Sequence, residues 1–404
     1  MREIAKEIDV DTVLTGTLLR AGTQLRLTTQ LVEAPSGTLI WSKASQVELS
    51  DIFQLQDTLM SGVVESLALP LTAGERQQLA HDAPASATAY DLYLRANEAG
   101  KAFSGFSEAI RLYEQCVALD PAYAPAWARL GRARWMVGKL SDATDQLVEG
   151  SKAIERALEL NPDLPLAHNL YTNIQVDQGH AMDAMKRLLK RLRSSKTDPE
   201  LFAGLTHATR YCGLLPASLE ANRQARRLDP NMHTTVMHTY FAMGDYQRAL
   251  EEGSRDFGYF TPLRLAMLGR VEEAIAMLKE KESVVPQRLG QMFMSSLRAV
   301  LEGNREASLQ TSDELIKAFK DPEGKYYLAR QLAYLSDIGR ATSVLKSAVD
   351  GGYFCYPQIA SDPWLDPIRG DAEFKQILHR AQALHQEAIE VFTAEGGPPL
   401  LGQA

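Results

Sequence analysis

Hydrophobic and polar residues alternate near the start of the chain and give way to a longer period further on. Between turn signals at Gly22 and Pro35, side chains at every second position from Leu25 to Leu31 share one face. Alternation with a period of two, interrupted by Gly and Pro, is typical of antiparallel strands joined by short turns. The pattern predicts three strands, over residues 12–20, 24–33 and 38–47.

Two helical patterns accompany these strands. Residues 2–8 form a charged amphipathic stretch, and Asp51 can cap a helix that runs to Leu67 with its apolar residues on one face. A helix and three strands make a small core, and strands at the sheet's edges would present unpaired backbone groups. We therefore predict that residues 1–80 form a small α/β domain that is incomplete or that a partner completes.

From residue 87 onward the pattern becomes helical, and a recurring glycine marks the expected turns. A small residue follows the glycine by five positions in four copies, which are Gly138/Ala143, Gly179/Ala184, Gly244/Ala249 and Gly269/Ala274, and weaker copies begin at Gly213, Gly303 and Gly339. Glycine permits a left-handed turn at a helix end, and the small residue lets the next helix approach closely. The steps between successive glycines run from 25 to 41 residues, and two of them are 34.

Further positions agree with a helix–turn–helix repeat of 34 residues. Trp127, Leu130 and Gly131 occupy the first motif positions, Tyr93 precedes Trp127 by 34 residues, and Arg134 stands where tyrosine is usual. Repeat-ending turns recur at Asp120-Pro121, Asn161-Pro162, Asp198-Pro199 and Asp229-Pro230. Residues 87–350 thus resemble the tetratricopeptide (TPR) family.

The TPR resemblance implies a mainly α fold, an α-α superhelix preceded by the small α/β domain. We expect about eight units over residues 87–350, some of them degenerate, after a linker at 81–86. A capping region and tail would follow at 351–404. Residues 371–393 would form the closing helix, either as a cap on the last repeat or as a plug that reaches into the groove; a cap is the expectation, because the last repeat's apolar face must be buried.

The N-terminal segment resembles part of another family. The run from Arg2 to Ser42, with Gly16, Ala21-Gly22 and Trp41, resembles the second half of the TolB-like amino-terminal domain. That domain occurs beside TPR units in bacterial signalling proteins, whose effector regions include kinases, nucleotide cyclases and winged-helix regulators. The resemblance implies that residues 1–80 are a partial TolB-like domain.

Composition and charge narrow the classes of function. Hydrophobic residues make up 45% of the chain, charged residues 23%, and the net charge is −8, so no general attraction to nucleic acid is expected. Cys116, Cys212 and Cys355 include no CxxC pair. No stretch approaches the roughly 18 apolar residues of a membrane span, and no secretory signal is visible. We expect a cytoplasmic location, or a periplasmic one for a detached part of a membrane signalling protein.

Motifs that carry chemistry are absent from the sequence. It contains no phosphate-binding loop, no G-x-S-x-G, no H-E-x-x-H and no H-R-D. His207 and His238 occupy the same first-helix position in adjacent repeats. Without a nearby carboxylate pattern, this spacing favours ordinary groove-lining or core histidines over a metal site. We expect no enzyme activity, no catalytic residue, no cofactor and no metal.

The predicted functional surface is the groove formed by successive first helices. Its amides can bond a peptide backbone, its arginines can pair with carboxylates, and its aromatic side chains can anchor apolar groups. The predicted groove residues are Arg132, Trp135, Asn169, Asn173, Asp177, His207, Arg210, Tyr211, His238 and Phe241.

Three functions remain open at this point. The first is a non-catalytic protein- or peptide-binding module that forms the regulatory or sensory part of a bacterial signalling protein, with a kinase, cyclase or DNA-binding domain in longer relatives. The second is a stand-alone scaffold or adaptor for complex assembly. The third, an enzyme of unrecognised type, lacks any visible nucleophile–base or metal constellation.

Overall fold

The computed structural model describes residues 10–34, 36–48, 55, 58–59, 62–63, 84–253 and 258–402. The chain divides into two compact units, one of residues 1–94 and 114–124 and the other of residues 95–113 and 125–404. The helix predicted over 2–8 and most of that predicted over 51–67 lie outside the described residues.

The first unit contains a three-stranded antiparallel sheet. Strand β1 covers Thr12–Ala21, β2 covers Gln24–Glu33 and β3 covers Leu39–Glu48, in the order β1-β2-β3. Leu25 and Leu31 of β2 are buried, as the alternation predicts for one covered face. The predicted meander of three strands is therefore confirmed.

Helices occupy most of the described residues after Ser86, and residues 84–253 and 258–402 contain no strand. Eight helix pairs follow one another: α1 Ala87–Ala99 with α2 Phe106–Leu119, α3 Ala124–Ser141 with α4 Thr144–Leu160, α5 Pro165–Asp177 with α6 Ala181–Leu192, α7 Pro199–Tyr211 with α8 Leu215–Leu228, α9 Val236–Ala242 with α10 Tyr246–Glu251, α11 Phe260–Met267 with α12 Val271–Glu282, α13 Arg288–Leu301 with α14 Arg305–Ala318, and α15 Pro322–Tyr334 with α16 Ile338–Asp350. Helices α17 Tyr356–Ser361, α18 Ala372–Ala394 and α19 Gly397–Leu400 complete the described chain, with a 3-10 turn at Pro363–Ile368 between α17 and α18.

One of the four predicted Asp-Pro and Asn-Pro turns opens a helix directly. Asp198 accepts a hydrogen bond from the backbone N–H of Glu200 at 2.9 Å, and Pro199 is the first residue of α7. At the other three X-Pro turns the next helix begins several residues later, at Ala124, Pro165 and Val236. Those prolines therefore end the preceding repeat without opening the next helix.

Five of the predicted turn glycines adopt the left-handed conformation that they were expected to supply. These are Gly179, Gly213, Gly244, Gly269 and Gly303, with φ between 73° and 89°. The prediction is wrong at Gly138 and Gly339, which lie inside α3 and α16, and the left-handed residues are instead Asp142 and Ser336. The small size of Gly138 serves packing, because a Cβ there would lie 2.9 Å from the side chain of Leu147.

Within the second unit the last helices pack against the middle ones. Gly352 has a φ of 102°, and a Cβ on it would lie only 2.4 Å from the Cα of Gly179. The Nδ1 atom of His385 lies 2.8 Å from the carbonyl oxygen of Cys212, and α18 packs against α16, α17 and α6. The superhelix of this unit therefore closes, and its first helices face one another across its interior.

A buried ion pair stabilises the end of this closed arrangement. The guanidinium of Arg330 donates to Asp362 over 2.7 Å, and the two side chains are 0% and 2% exposed. The same guanidinium lies 4.4 Å from the ring centroid of Trp364. Burial alone would raise the pKa of Asp362, but Arg330 outweighs it, and the pKa lies below its usual range.

A second buried network joins α5 to α6 through a neutral imidazole. One ring nitrogen of His168 lies 2.8 Å from the carbonyl oxygen of Pro162 and the other lies 2.8 Å from Arg187, which is always charged. The ring therefore donates to the carbonyl and accepts from the guanidinium. Burial lowers the pKa of His168 to about 4.

We expect His168→Gln to reduce the acid sensitivity of the fold, since glutamine keeps one donor and one acceptor without a titrating ring. Between pH 6.5 and about 4 the unfolded chain binds a proton at this position that the folded chain refuses, so the wild type loses stability as the pH falls. Across this pH range the wild type loses about 3 kcal/mol of its free energy of unfolding through His168, and the substitution removes that loss. Urea unfolding at pH 7.0, 5.5 and 4.0 measures it, and parallel pH profiles of the two proteins would contradict it.

Candidate functional site

The first helices of the second unit surround a cavity of about 840 Å³. Its walls include Arg132 of α3, Asn173 of α5, His207 of α7, His238 of α9 and Tyr327 of α15. Volumes of roughly 300–1,000 Å³ are typical of pockets for small organic ligands. Closure of the superhelix has thus turned the predicted groove into a cavity.

Most of the predicted groove residues lie on the walls of this cavity. Those that line it are Arg132, Asn169, Asn173, Asp177, His207, Arg210, Tyr211 and His238. Trp135 is buried behind the wall, where its indole N–H donates to Asp177 at 2.7 Å. Phe241 is buried 5.9 Å, ring to ring, from Tyr327. These two side chains therefore support lining residues and do not line the cavity.

Two cations and three carboxylates form what we call the charged floor, which consists of Lys139, Asp177, Arg210, Asp321 and Glu323. The Nζ atom of Lys139 lies 3.0 Å from Asp177 and 2.8 Å from Asp321. Arg210 donates through both Nη atoms to Glu323, one of them over 3.0 Å. Arg210 is 1% exposed, so the arginine predicted to pair with a ligand carboxylate already has a carboxylate partner within the protein.

The protonation of the floor follows from its burial. Burial raises the pKa of Asp177 to about 7, and the neighbouring Asp321 adds to this against the opposing effect of Lys139. Burial also opposes the charge on Lys139, but the two carboxylates outweigh it and raise its pKa above the usual range. Near neutral pH the floor therefore carries a small net charge.

His207 and His238, two of the histidines that line the cavity, are neutral imidazoles. Burial, reinforced by the nearby Arg210, holds the pKa of both His207 and His238 well below the usual range. His207 stacks on Tyr211 with 5.2 Å between ring centroids, and His238 meets Phe260 edge-on at 4.4 Å. Among the described residues, no group of three or more His, Cys, Asp or Glu side chains is placed to hold a metal ion.

One side of the cavity is aromatic, and sequence reasoning missed it. This aromatic wall consists of Tyr259, Phe260, Phe293, Phe319 and Tyr327. Ring centroids lie 5.1 Å apart for Phe260 and Tyr327, 5.6 Å for Tyr259 and Phe293, and 4.6 Å for Phe293 and Phe319. The five rings come from three helix pairs and from the residues that flank their helices, so no local period in the sequence groups them.

The described residues define the class of the molecule as a mainly helical, TPR-type α-α superhelix preceded by a three-stranded sheet. The predicted fold class is confirmed. None of the helices in the described part of the chain is long and apolar enough to cross a membrane.

Comparisons with known proteins give two similarities. No protein-family model matches the chain. A putative adenylate cyclase 3 of Rhizobium meliloti (strain 1021) is 28% identical over 173 residues, which is 42% of this chain and 30% of the relative, so the match covers less than a third of the relative's length. The crystal structure of the TPR domain of P58(IPK) matches 74% of this chain and 98% of its own, with 13% identity and a TM-score of 0.20. The fold assignment rests on the helix pairs of this chain, and the TolB-like resemblance stays a prediction.

Proposed function

We propose that the chain is a non-catalytic protein- or peptide-binding module that forms the regulatory or sensory part of a bacterial signalling protein. The cavity lined by successive first helices carries this proposal. In an α-α superhelix this inner surface presents one stripe of side chains from each helix pair, which suits recognition of a ligand. The TPR-type architecture is consistent with protein interaction.

The chemistry of the lining residues favours binding over catalysis. The cations and carboxylates of the charged floor neutralise one another, so they are held in structural pairs. Cys116 and Cys355 lie outside the cavity lining, and burial raises the pKa of Cys116 to about 11 and that of Cys355 to about 12, which keeps both thiols in their unreactive protonated form. These groups stabilise the fold and leave the cavity surface available to a ligand.

Similarity to a putative adenylate cyclase supports the signalling context. A relative described as a putative adenylate cyclase supports a nucleotide cyclase as the effector that such a module would regulate. The alternative, a stand-alone scaffold for complex assembly, predicts a partner of another kind. Identification of the captured partner separates the two.

We expect Asn173→Trp to abolish capture of the protein partner from bacterial lysate while the fold is retained. Asn173 lines the cavity, and its side-chain amide donates to the carbonyl oxygen of Asn169 in its own helix, so an indole at this position fills cavity space without breaking a buried ion pair. Arg210→Ala would be a poorer probe, since it leaves Glu323 without its partner.

Lys190→Trp is the matched control. Lys190 is exposed on α6, so this substitution adds the same indole away from the cavity. Both variants are compared with wild type by circular dichroism and by mass spectrometry of the captured proteins. A protein lost only from Asn173→Trp supports cavity-mediated binding. Equal capture by all three proteins, or no capture by any, would overturn it.

A further inference from the structure

We propose that the cavity binds a small uncharged molecule that carries an amide or a similar neutral hydrogen-bonding group and an aromatic or large apolar group. This inference rests on the proposed function, in which the same cavity is the binding site. It concerns the charge and chemical class of the ligand.

The charged floor argues against an ionic ligand. Lys139 lies between Asp177 and Asp321, and Arg210 is held by Glu323 through both Nη atoms. An anion that reached the floor would approach three carboxylates, and a cation would approach Lys139 and Arg210. Either ion would also lose its hydration without gaining a free counter-charge from these five side chains.

Besides the Nε atom of Arg210, whose charge Glu323 already balances, two neutral atoms of the cavity walls are unsatisfied. The Nε2 atom of His207 and the Oγ1 atom of Thr235 are shielded from solvent and have no hydrogen-bond partner within the described part of the chain. Both residues line the cavity. Buried polar groups are almost always hydrogen-bonded, so unpaired ones at a cavity wall indicate where a ligand can bond.

The aromatic wall supplies the apolar surface of the cavity, chiefly through the half-buried Phe260, because its other four rings are at most 3% exposed. Its rings contact one another from Phe260 through Tyr327 and from Tyr259 through Phe293 to Phe319. A flat apolar group can pack against such rings in stacked or edge-on geometry. A neutral amide bonded to His207 or Thr235, joined to an aromatic group on this wall, therefore satisfies both surfaces.

Three compounds with one carbon skeleton test the charge of the ligand. These are 3-phenylpropanamide, 3-phenylpropanoate and 3-phenylpropylammonium, titrated into the full chain by calorimetry and by saturation-transfer NMR. We expect the amide to bind at least about tenfold more tightly than either ion. His207→Phe and Thr235→Val should each weaken amide binding by about five- to tenfold, because each removes one hydrogen-bonding group at similar volume.

The matched control is Thr144→Val, which removes an exposed hydroxyl at the start of α4, away from the cavity lining, and should leave amide binding unchanged. An ion that binds as tightly as the amide, no binding by any compound, or full amide binding in both His207→Phe and Thr235→Val would overturn the proposal. If the amide fails to bind while a protein partner is lost from Asn173→Trp, this inference is wrong and the proposed function stands. If the amide binds and no protein is captured, the cavity holds a small molecule and the proposed protein binding is wrong.

Discussion

Replacing Arg330 with methionine is expected to lower the free energy of unfolding by about 3–5 kcal/mol. The substitution keeps an unbranched side chain of similar length but leaves the carboxylate of Asp362 buried without its counter-charge, and loss of one partner from a buried ion pair is costly for that reason. The stacking of the guanidinium on Trp364 is lost at the same time. Urea unfolding at pH 7 measures the change.

Two further variants separate the charge effect from lost packing. Arg340→Met is the matched control, because Arg340 is 35% exposed in its pairs with Asp337 and Asp313, and such pairs contribute at most about 1 kcal/mol. The double variant Arg330→Met/Asp362→Asn removes the buried charge and should be more stable than Arg330→Met alone. If Arg330→Met and Arg340→Met lower the free energy of unfolding equally, the buried Arg330–Asp362 pair contributes no more to stability than the exposed pairs of Arg340.

Gly352→Ala is expected to destabilise the fold by about 4 kcal/mol through two separate causes. At a φ of 102° an L residue is strained, which costs about 1–3 kcal/mol. The new Cβ would also lie 2.4 Å from the Cα of Gly179, so the backbone after α16 must move away from the backbone after α5. Overpacking of this kind typically adds about 1–3 kcal/mol.

Gly303→Ala measures the backbone strain without the clash. Gly303 has a φ of 73° and a Cβ there would meet nothing within 4 Å, so a loss of about 1–2 kcal/mol is expected. Hydrogen exchange adds a local measurement. Helices α18 and α6 contact each other, and only Gly352→Ala should speed exchange of their backbone amides. Equal losses in the two variants would show that the Gly179–Gly352 contact adds nothing.

Local patterns in the sequence were enough for the strands, for the helix pairs and for most turns. The alternation from Leu25 to Leu31 is a short-range property, and so is the left-handed glycine at Gly179 or Gly213. The failures at Gly138 and Gly339 have a local cause as well. Asp142 and Ser336 supply the left-handed residue in those turns, whereas the sequence pattern assigns that conformation to a glycine.

The closure of the cavity could not be predicted in this way. Alignment of the repeats placed His207 and His238 on inward-facing positions, because that assignment needs only the helical period. The partner of Arg210 is Glu323, which is 113 residues away in sequence, and no spacing rule connects them. The sequence therefore predicts many of the lining residues but not Asp321 and Glu323, which pair with them across the cavity.

Closure also changes how the molecule should unfold. In an open array of repeats each unit contacts its neighbours only, so stability adds up along the chain and the ends can unravel independently. Here Arg193 bonds Glu395 across 202 residues of sequence, and His385 contacts the carbonyl group of Cys212 across 173. Such contacts tie the late helices to the middle ones and raise the contact order, which favours slower folding and a single concerted transition of the second unit. Under the proposed regulatory function, release of the late helices would therefore alter the walls of the cavity that they help to hold.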